Sequence, residues 1–445
     1  MPALADIWLG PAAVAFSAFA AIRADPAIVT LDMLTALALV GAALASFGGR
    51  SVVGRSFGGL LELGVGLLGW ATGGAAGALA EVRRGMPSEA SVGRRASPAF
   101  PILRGLAIAL PVVLIFVALF SAADAVFAQF VDDVLGTDLD LGNLPWRTAS
   151  ALVLAWFGAG GMALAASDPP LRGVVPSHGG WRLGTTEVVT VLIAVVALFA
   201  VFVALQGAYL FGGLDTLEAA GLTYAEYARR GFFELVAVAA LAAGLVMTAE
   251  RLARDRTRLL IVAATGLGLL TSVVLVSATL RLRLYQEAYG WTELRLYVLA
   301  TIVLLAIGLA ALIGALVADR VRWIGHVLVA AALAIGLALN LVGPVRFITQ
   351  RNVARALDPA LVPPNGSSGL DVWYATSLGD DAIPDLIRAL PVLADDEGEH
   401  LRLRLEYRLD TLRREPGLNA WQAWNAGRAA AHDALDAAWA RGDLP

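Results

Sequence analysis

Apolar runs of roughly 20 residues, repeated along most of the chain with short polar connections, leave few folds open. A hydrocarbon core about 30 Å thick takes about 20 helical residues to cross. In lipid every backbone N–H and C=O needs an internal partner, so only helices and closed barrels span it. These runs are continuously apolar and too long for strands, which selects the helix. About ten runs can be placed, at 7–22, 27–47, 57–80, 105–130, 148–166, 187–211, 231–249, 259–280, 296–317 and 323–342. The composition, 58% hydrophobic and only 16% charged, excludes an ordinary soluble domain.

The expected fold is therefore all-α: a polytopic membrane helix bundle of about ten spans over 1–343, a linker over 344–369, and a small helical extramembrane domain over 370–445. The first run is short, but Asp6 and no basic residue precede it, which argues against a cleaved signal peptide. In the third, Gly69, Gly73 and Gly77 recur at the four-residue spacing that lets helices approach closely. An Ala/Gly-rich chain also produces such spacing without a packing role.

Every one of the 33 basic residues is Arg. Taking the Arg-rich connection 81–104 (Arg83, Arg84, Arg94, Arg95, Arg104) as cytoplasmic, the connections on its side carry the larger share of Arg. The positive-inside rule then places the N-terminus and the C-terminal domain on the opposite face.

Polar residues gather at that face. Asp124 and Gln206 lie near the outer ends of the fourth and sixth runs, with Tyr209 one turn beyond Gln206. In the stretch YAEYARRGFFEL, residues 224–235, Glu226, Arg230 and Glu234 fall four apart on one helix face, so Arg230 can pair in either direction, and Arg229 lies beside it. Glu234 already lies inside an apolar run, where a carboxylate normally faces protein or a water-filled cavity. Arg281, Arg283 and Glu287 leave the eighth run, and Glu293 and Arg295 enter the ninth. If the helices share one space, these twelve residues line an outer-leaflet vestibule facing the C-terminal domain. The alternative is a set of Arg side chains snorkelling to headgroups with acids neutralising them. Asp32 and Glu62, on the second and third runs, form a separate candidate pair, more readily structural than a proton relay.

After Pro344 the chain turns amphipathic. In DDAIPDLIRAL, Ile383, Leu386, Ile387 and Leu390 follow helical spacing, with Asp380 as the candidate cap and Pro384 in the first turn. A second helix over 399–414 aligns Leu401, Leu405, Leu409 and Leu412. A third over 419–440 aligns Trp421, Trp424, Leu435 and Trp439, a stripe for which core packing is the ordinary role and a docking face or lipid-surface contact the alternative. A domain this small is expected to dock on the membrane helices.

Chemistry-bearing motifs are few. The chain has no Cys, hence no disulfide or thiolate chemistry, and no Lys, hence no P-loop. His178, His326, His400 and His432 lack ligand spacing, so neither a metal nor another cofactor is expected. No Ser elbow appears, and no basic patch interleaved with aromatics, which excludes nucleic acid as a partner.

Several strings, ADAVFAQF (123–130), LGTTEVVTVL (183–192), QGAYLFGG (206–213), GLTYAEYARRGFFEL (221–235), RLYQEAYGWTELRLY (283–297) and RNVARAL (351–357), resemble bacterial multi-span proteins of the domain-of-unknown-function family forty-one seventy-three, with forty-one fifty-three a close relative. LGDDAIPDL and AWNAGRA near the C-terminus are similar to the same family's C-terminal part. The resemblance implies a multi-pass protein of the bacterial inner membrane and supplies no activity.

Three function classes are consistent with these features. The first is a signalling or accessory protein that binds a protein partner or small polar ligand at its outer face, with membrane lipids as its other partners. A secondary transporter or channel is the second, although the inner halves of the runs are almost uniformly apolar. The third is a lipid-linked transferase, for which the acidic stretch Asp132, Asp133, Asp138 and Asp140 offers oxygen ligands to a divalent ion.

Overall fold

In the computed structural model the described residues are 6–47, 99–135, 183–212, 231–318, 323–363, 366–414 and 424–444. Among them the structure is helical, with one isolated parallel bridge between Leu183 and Ala253. The helices are α1 (Leu9–Ile22), α2 (Pro26–Phe47), α3 (Ala99–Ala123), α4 (Ala125–Leu135), α5 (Thr185–Gly212), α6 (Phe232–Leu252), α7 (Arg258–Tyr289), α8 (Glu293–Val317), α9 (Ile324–Val342), α10 (Pro344–Leu357), α11 (Val372–Ser377), α12 (Ile383–Ala389), α13 (Asp395–Arg414) and α14 (Ala426–Arg441).

Seven of these, α2, α3 and α5 to α9, are long and apolar enough to cross a membrane. At most 44% of any such segment is buried, and the remainder is apolar, as at Leu31, Leu34 and Leu37 on α2 or Val262, Leu269 and Val276 on α7. Such faces suit lipid and would be a liability in water. The chain is a membrane-embedded protein whose described residues are built of helices. Of the ten expected spans, the first is the 14-residue α1, shorter than a full crossing. The third and fifth lie outside the described residues, so the described count is seven rather than ten. The fourth run is divided at Asp124 into α3 and α4.

Two compact units are present. One consists of Ser56–Arg281 and Leu305–Val327. Here α3 and α5 run parallel, with Gly105 against Glu187 and Thr190, Phe116 against Phe199, and Phe120 stacked on Phe202 at 3.8 Å. A Cβ at Gly105 would fall 2.8 Å from that of Thr190, so only glycine permits this approach. Glu187, in the first turn of α5, accepts from the Gly184 N–H and pairs with Arg104 at 3.3 Å.

The other unit consists of Met1–Arg55, Leu282–Leu304 and Leu328–Pro445. In it α1 packs against α2. Residues 344–357, expected within a linker, form helix α10, because Val345 and Ile348 bury in the same core as the C-terminal helices. That core contains Ile383, Leu386, Ile387 and Leu390 from the α12 region and Leu401, Leu405, Leu409 and Leu412 from α13, the residues whose helical spacing marks them in the sequence. Asp380 caps nothing with its side chain. Its buried carboxylate receives both arms of Arg408 at 2.8 Å and Arg428 at 3.2 Å, joining α13 and α14. The expected tryptophan stripe is corrected: α14 begins at Ala426, its buried residues are Ala431, Leu435 and Ala438, and Trp424 and Trp439 are 62% and 50% exposed. Small alanines let α14 pack closely where indoles would hold it off. Trp421 lies outside the described residues.

Candidate functional site

The expected vestibule residues divide between the two units. Asp124, Gln206, Glu234 and Arg281 belong to the first, and Arg283, Glu287, Glu293 and Arg295 to the second. Glu226, Arg229, Arg230 and the side chain of Tyr209 lie outside the described residues, as do Glu62, Asp138 and Asp140.

In the first unit the centre is the break between α3 and α4. Asp124 Oδ1 accepts from the N–H groups of Val126 (3.0 Å) and Phe127 (3.2 Å), the donors that the start of α4 leaves open. Its Oδ2 meets Arg281 at 2.6 Å, and Arg281 also donates to the Ala123 carbonyl at 2.8 Å. One guanidinium thus satisfies both the end of α3 and the cap of α4, and both partners are buried. Gly231 presses on the same carbonyl: a Cβ there would lie 2.0 Å from Ala123 O, and its φ of +88° is the left-handed conformation glycine takes without strain. Gln206, buried on α5, leaves both amide atoms without a partner. Glu234 is half-buried in the first turn of α6, where the helix dipole favours an acid.

The second unit is built around two turns. The α7–α8 turn, 290–292, is held by α10: Asn352 accepts from the Trp291 N–H at 2.7 Å and donates to its carbonyl at 2.8 Å. Arg355 donates to the carbonyls of Ala288 (2.6 Å) and Glu287 (3.2 Å). Arg295 is buried, donates to the Gly290 carbonyl, and lies 3.9 Å over the Tyr285 ring. The Arg283 and Glu287 side chains are exposed.

The α1–α2 turn, 23–25, is held by the C-terminal helices. Asp381 Oδ2 accepts from the N–H groups of Ala24 (2.8 Å) and Asp25 (3.2 Å). Asn425 donates to the carbonyls of Ala20 and Arg23 and accepts, as the cap of α14, from the Arg428 N–H. Gly427 makes room: a Cβ there would fall 2.0 Å from Asp381 Oδ1. From α8, the Glu293 N–H donates to the Tyr374 hydroxyl at 2.9 Å. Burial holds the Asp381 carboxyl above the usual carboxylate range, although the Ala24 N–H and the Arg23 guanidinium pull it down.

Beneath this turn is a carboxyl cluster. Asp25 caps α2 by accepting from the Ala27 N–H at 2.8 Å, and the Tyr297 hydroxyl approaches its other oxygen at 3.4 Å. The Glu293 carboxyl meets that of Asp25. Asp32, wholly buried, accepts from the amide of Asn340 at 2.7 Å. Its described partner is therefore Asn340 on α9. Arg23 donates to the Asn340 backbone carbonyl.

Of these residues, Asp25, Asp381, Asn425, Asn352 and Tyr374 carried no individual signal in the sequence. Several fall inside strings singled out above: RNVARAL holds Asn352 and Arg355, LGDDAIPDL holds Asp381, and AWNAGRA holds Asn425, Gly427 and Arg428. Among the described residues no group of three or more His, Asp or Glu has the spacing to hold a metal ion.

Residues 11–389 match the family described as Domain of unknown function (DUF4153), the second of the two families named above. The match takes in the first three runs, where no resembling string was found. No curated protein and no solved structure matches the chain.

Proposed function

We propose that this chain, which belongs to the DUF4153 family and takes no activity from that membership, is a membrane-embedded binding protein of the signalling or accessory kind. In this reading residues 370–445 report on the membrane helices. One observation carries it: Asp381 and Asn425 fill the open backbone groups of the α1–α2 turn, so a shift of either helix end must be transmitted to the C-terminal helices or break these bonds. α10 grips the α7–α8 turn in the same manner. Coupling of this sort runs through packed and hydrogen-bonded elements with discrete arrangements. The C-terminal helices face the extracytoplasmic side, as the Arg distribution argues, and the cell membrane is that of a bacterium. Within the first unit, Asp124, Gln206 and Arg281 are the ligand-contacting candidates, since Gln206 carries unused hydrogen-bonding capacity beside a phenylalanine-lined helix contact.

Transport is the second reading, favoured by the helix interruption at Asp124, because broken helices line substrate sites in membrane carriers. Two measurements separate the readings. The Asn340→Ala variant is expected to raise hydrogen exchange in 378–390 and 424–444, although the Asn340 side chain bonds within the membrane helices at Asp32 and Gly336. Purified protein in vesicles is expected to pass protons, sodium and potassium no faster than empty vesicles. Exchange changes confined to α2 and α9, or ion flux above background, would refute the coupling reading.

A further inference from the structure

The carboxyl cluster under the α1–α2 turn is short of positive charge. Asp25 has Asp32, Glu293 and Asp381 as charged neighbours, on α2, α8 and the C-terminal segment, and among the described residues one guanidinium, that of Arg23, acts on both Asp32 and Asp381. Arg295, the nearest further cation on α8, is turned onto the Gly290 carbonyl and the Tyr285 ring. Tyr297, Tyr374 and Asn340 complete the surroundings and bring no charge. Asp25 and Asp32 are buried and Glu293 and Asp381 half-buried, and carboxylates taken from water without compensation are costly. Two carboxyls in contact, as Asp25 and Glu293 are, attract only when a proton or a cation lies between them.

A second, independent observation points to the same occupant. Asp32 and Asn340 are each 0% exposed, and after the bond between them each keeps one oxygen, Asp32 Oδ2 and Asn340 Oδ1, with no donor. The Asn340 amide is already committed to Asp32 and to the Gly336 carbonyl. What remains is a pair of buried acceptors, and buried acceptors in native proteins are ordinarily satisfied. The one neutral donor of the pair, the Asn340 amide, is already spent. A hard cation with oxygen preference, or a proton carried on Asp32, satisfies the oxygens and the charge together.

We propose that Asp32 and Asn340, with Asp25 beside them, form a binding site for one small positive charge, supplied either as a sodium-class ion or as a proton. The site stands independently of the signalling reading, since it rests on orphaned oxygens and charge count alone. Its position under the clasped turn makes it a natural input: filling it removes the repulsion that otherwise pushes Asp25, Glu293 and Asp381 apart.

The experiment uses the full-length protein in detergent and follows thermal unfolding at constant ionic strength, in sodium chloride or choline chloride, from pH 5.5 to 8.5. If sodium fills the site, the wild-type midpoint at pH 8.5 is higher in sodium than in choline by about 3 °C or more, and the difference shrinks toward pH 5.5 as protons compete. If a proton fills it, sodium has no effect, and the wild-type midpoint falls as pH rises. In both cases Asp32→Asn, which keeps the shape and removes the charge, removes the site's share of the dependence and leaves only the slope that Asp381 contributes, whereas Asp381→Asn leaves the sodium effect in place. A wild type whose sodium and pH responses both equal those of Asp32→Asn overturns the proposal. Should Asp32→Asn fail to fold, Asn340→Ala serves as the second variant: it deletes a cation ligand and the donor to the Asp32 carboxylate, so a sodium response undiminished in it, together with a pH response identical to wild type, would equally overturn the site.

Discussion

Replacing Asn425 by alanine removes three hydrogen bonds at once: the acceptor that caps α14 at the Arg428 N–H, and the two donations to the carbonyls of Ala20 and Arg23 at the end of α1. The cap is worth about 1 kcal/mol. Each donation to a carbonyl that the helix end leaves open contributes about 0.5–1.5 kcal/mol, at the upper part of the range here because Asn425 is 8% exposed and water cannot easily replace it. The sum, about 2–4 kcal/mol, corresponds to a roughly 30- to 1,000-fold rise in the opening equilibrium of α14. Hydrogen exchange by mass spectrometry on the full chain in detergent reads this directly as lost protection across 426–441 and at 23–25, with the interiors of α5 and α7 unchanged. Asn425→Asp sharpens the test. It retains the cap but sets a carboxylate against two carbonyl oxygens, so it must cost more than alanine despite being the nearer isostere. An aspartate variant as well protected as wild type, or an alanine variant with unaltered exchange at both places, would show that the contact at the α1–α2 turn carries no energy.

Further outcomes follow from other features. Gly231→Ala must accommodate a Cβ 2.0 Å from the Ala123 carbonyl and a φ of +88°, so it is expected to destabilise the α3–α4 break by more than about 2 kcal/mol, lowering the midpoint in a thermal unfolding assay. Because burial raises the Asp381 carboxyl above its unfolded value, its contribution to docking is fully present below the usual carboxylate range and is lost as pH rises through the raised folded value. Protection at 20–25 is therefore expected to decline with rising pH, and Asp381→Asn to flatten that slope. As the chain lacks cysteine, Tyr407→Cys, at a position 73% exposed, supplies a single thiol. A membrane-impermeant maleimide should label it in intact cells, and labelling only after lysis would place the C-terminal helices on the cytoplasmic face.

How much of this was legible beforehand depended on the range of the interaction. Helix positions were legible because lipid demands long apolar segments, and α2, α5, α7 and α8 begin and end within a few residues of the runs except where amphipathic extensions such as 281–289 continue the helix. The leucines of α13 were legible for the same periodic reason. Long-range pairings were not. Asp124 was singled out as an acid near the end of an apolar run and Arg281 as a charge leaving one, yet nothing local announces that they bond to one another, since 157 residues separate them. Asp25 escaped notice because an Asp before Pro reads as an ordinary turn. Asp381 and Asn425 carried no local signal, because their partners at 20–25 lie hundreds of residues away. The tryptophans misled because hydrophobicity was taken for burial: indoles at 424 and 439 stay exposed, and the smaller alanines beside them make the close contact.

The pairing of residues 20–25 with Asp381 and Asn425 joins positions up to 405 apart. Ribosomes deliver the α1–α2 hairpin long before its latch. Until Asp381 and Asn425 are made, the Ala20 and Arg23 carbonyls and the Ala24 N–H must find other partners, such as water or headgroups. Only then can the hairpin settle. Termination ahead of Asn425 would therefore be felt at the distant α1–α2 turn, giving quality control a simple means of telling a latched chain from an unlatched one.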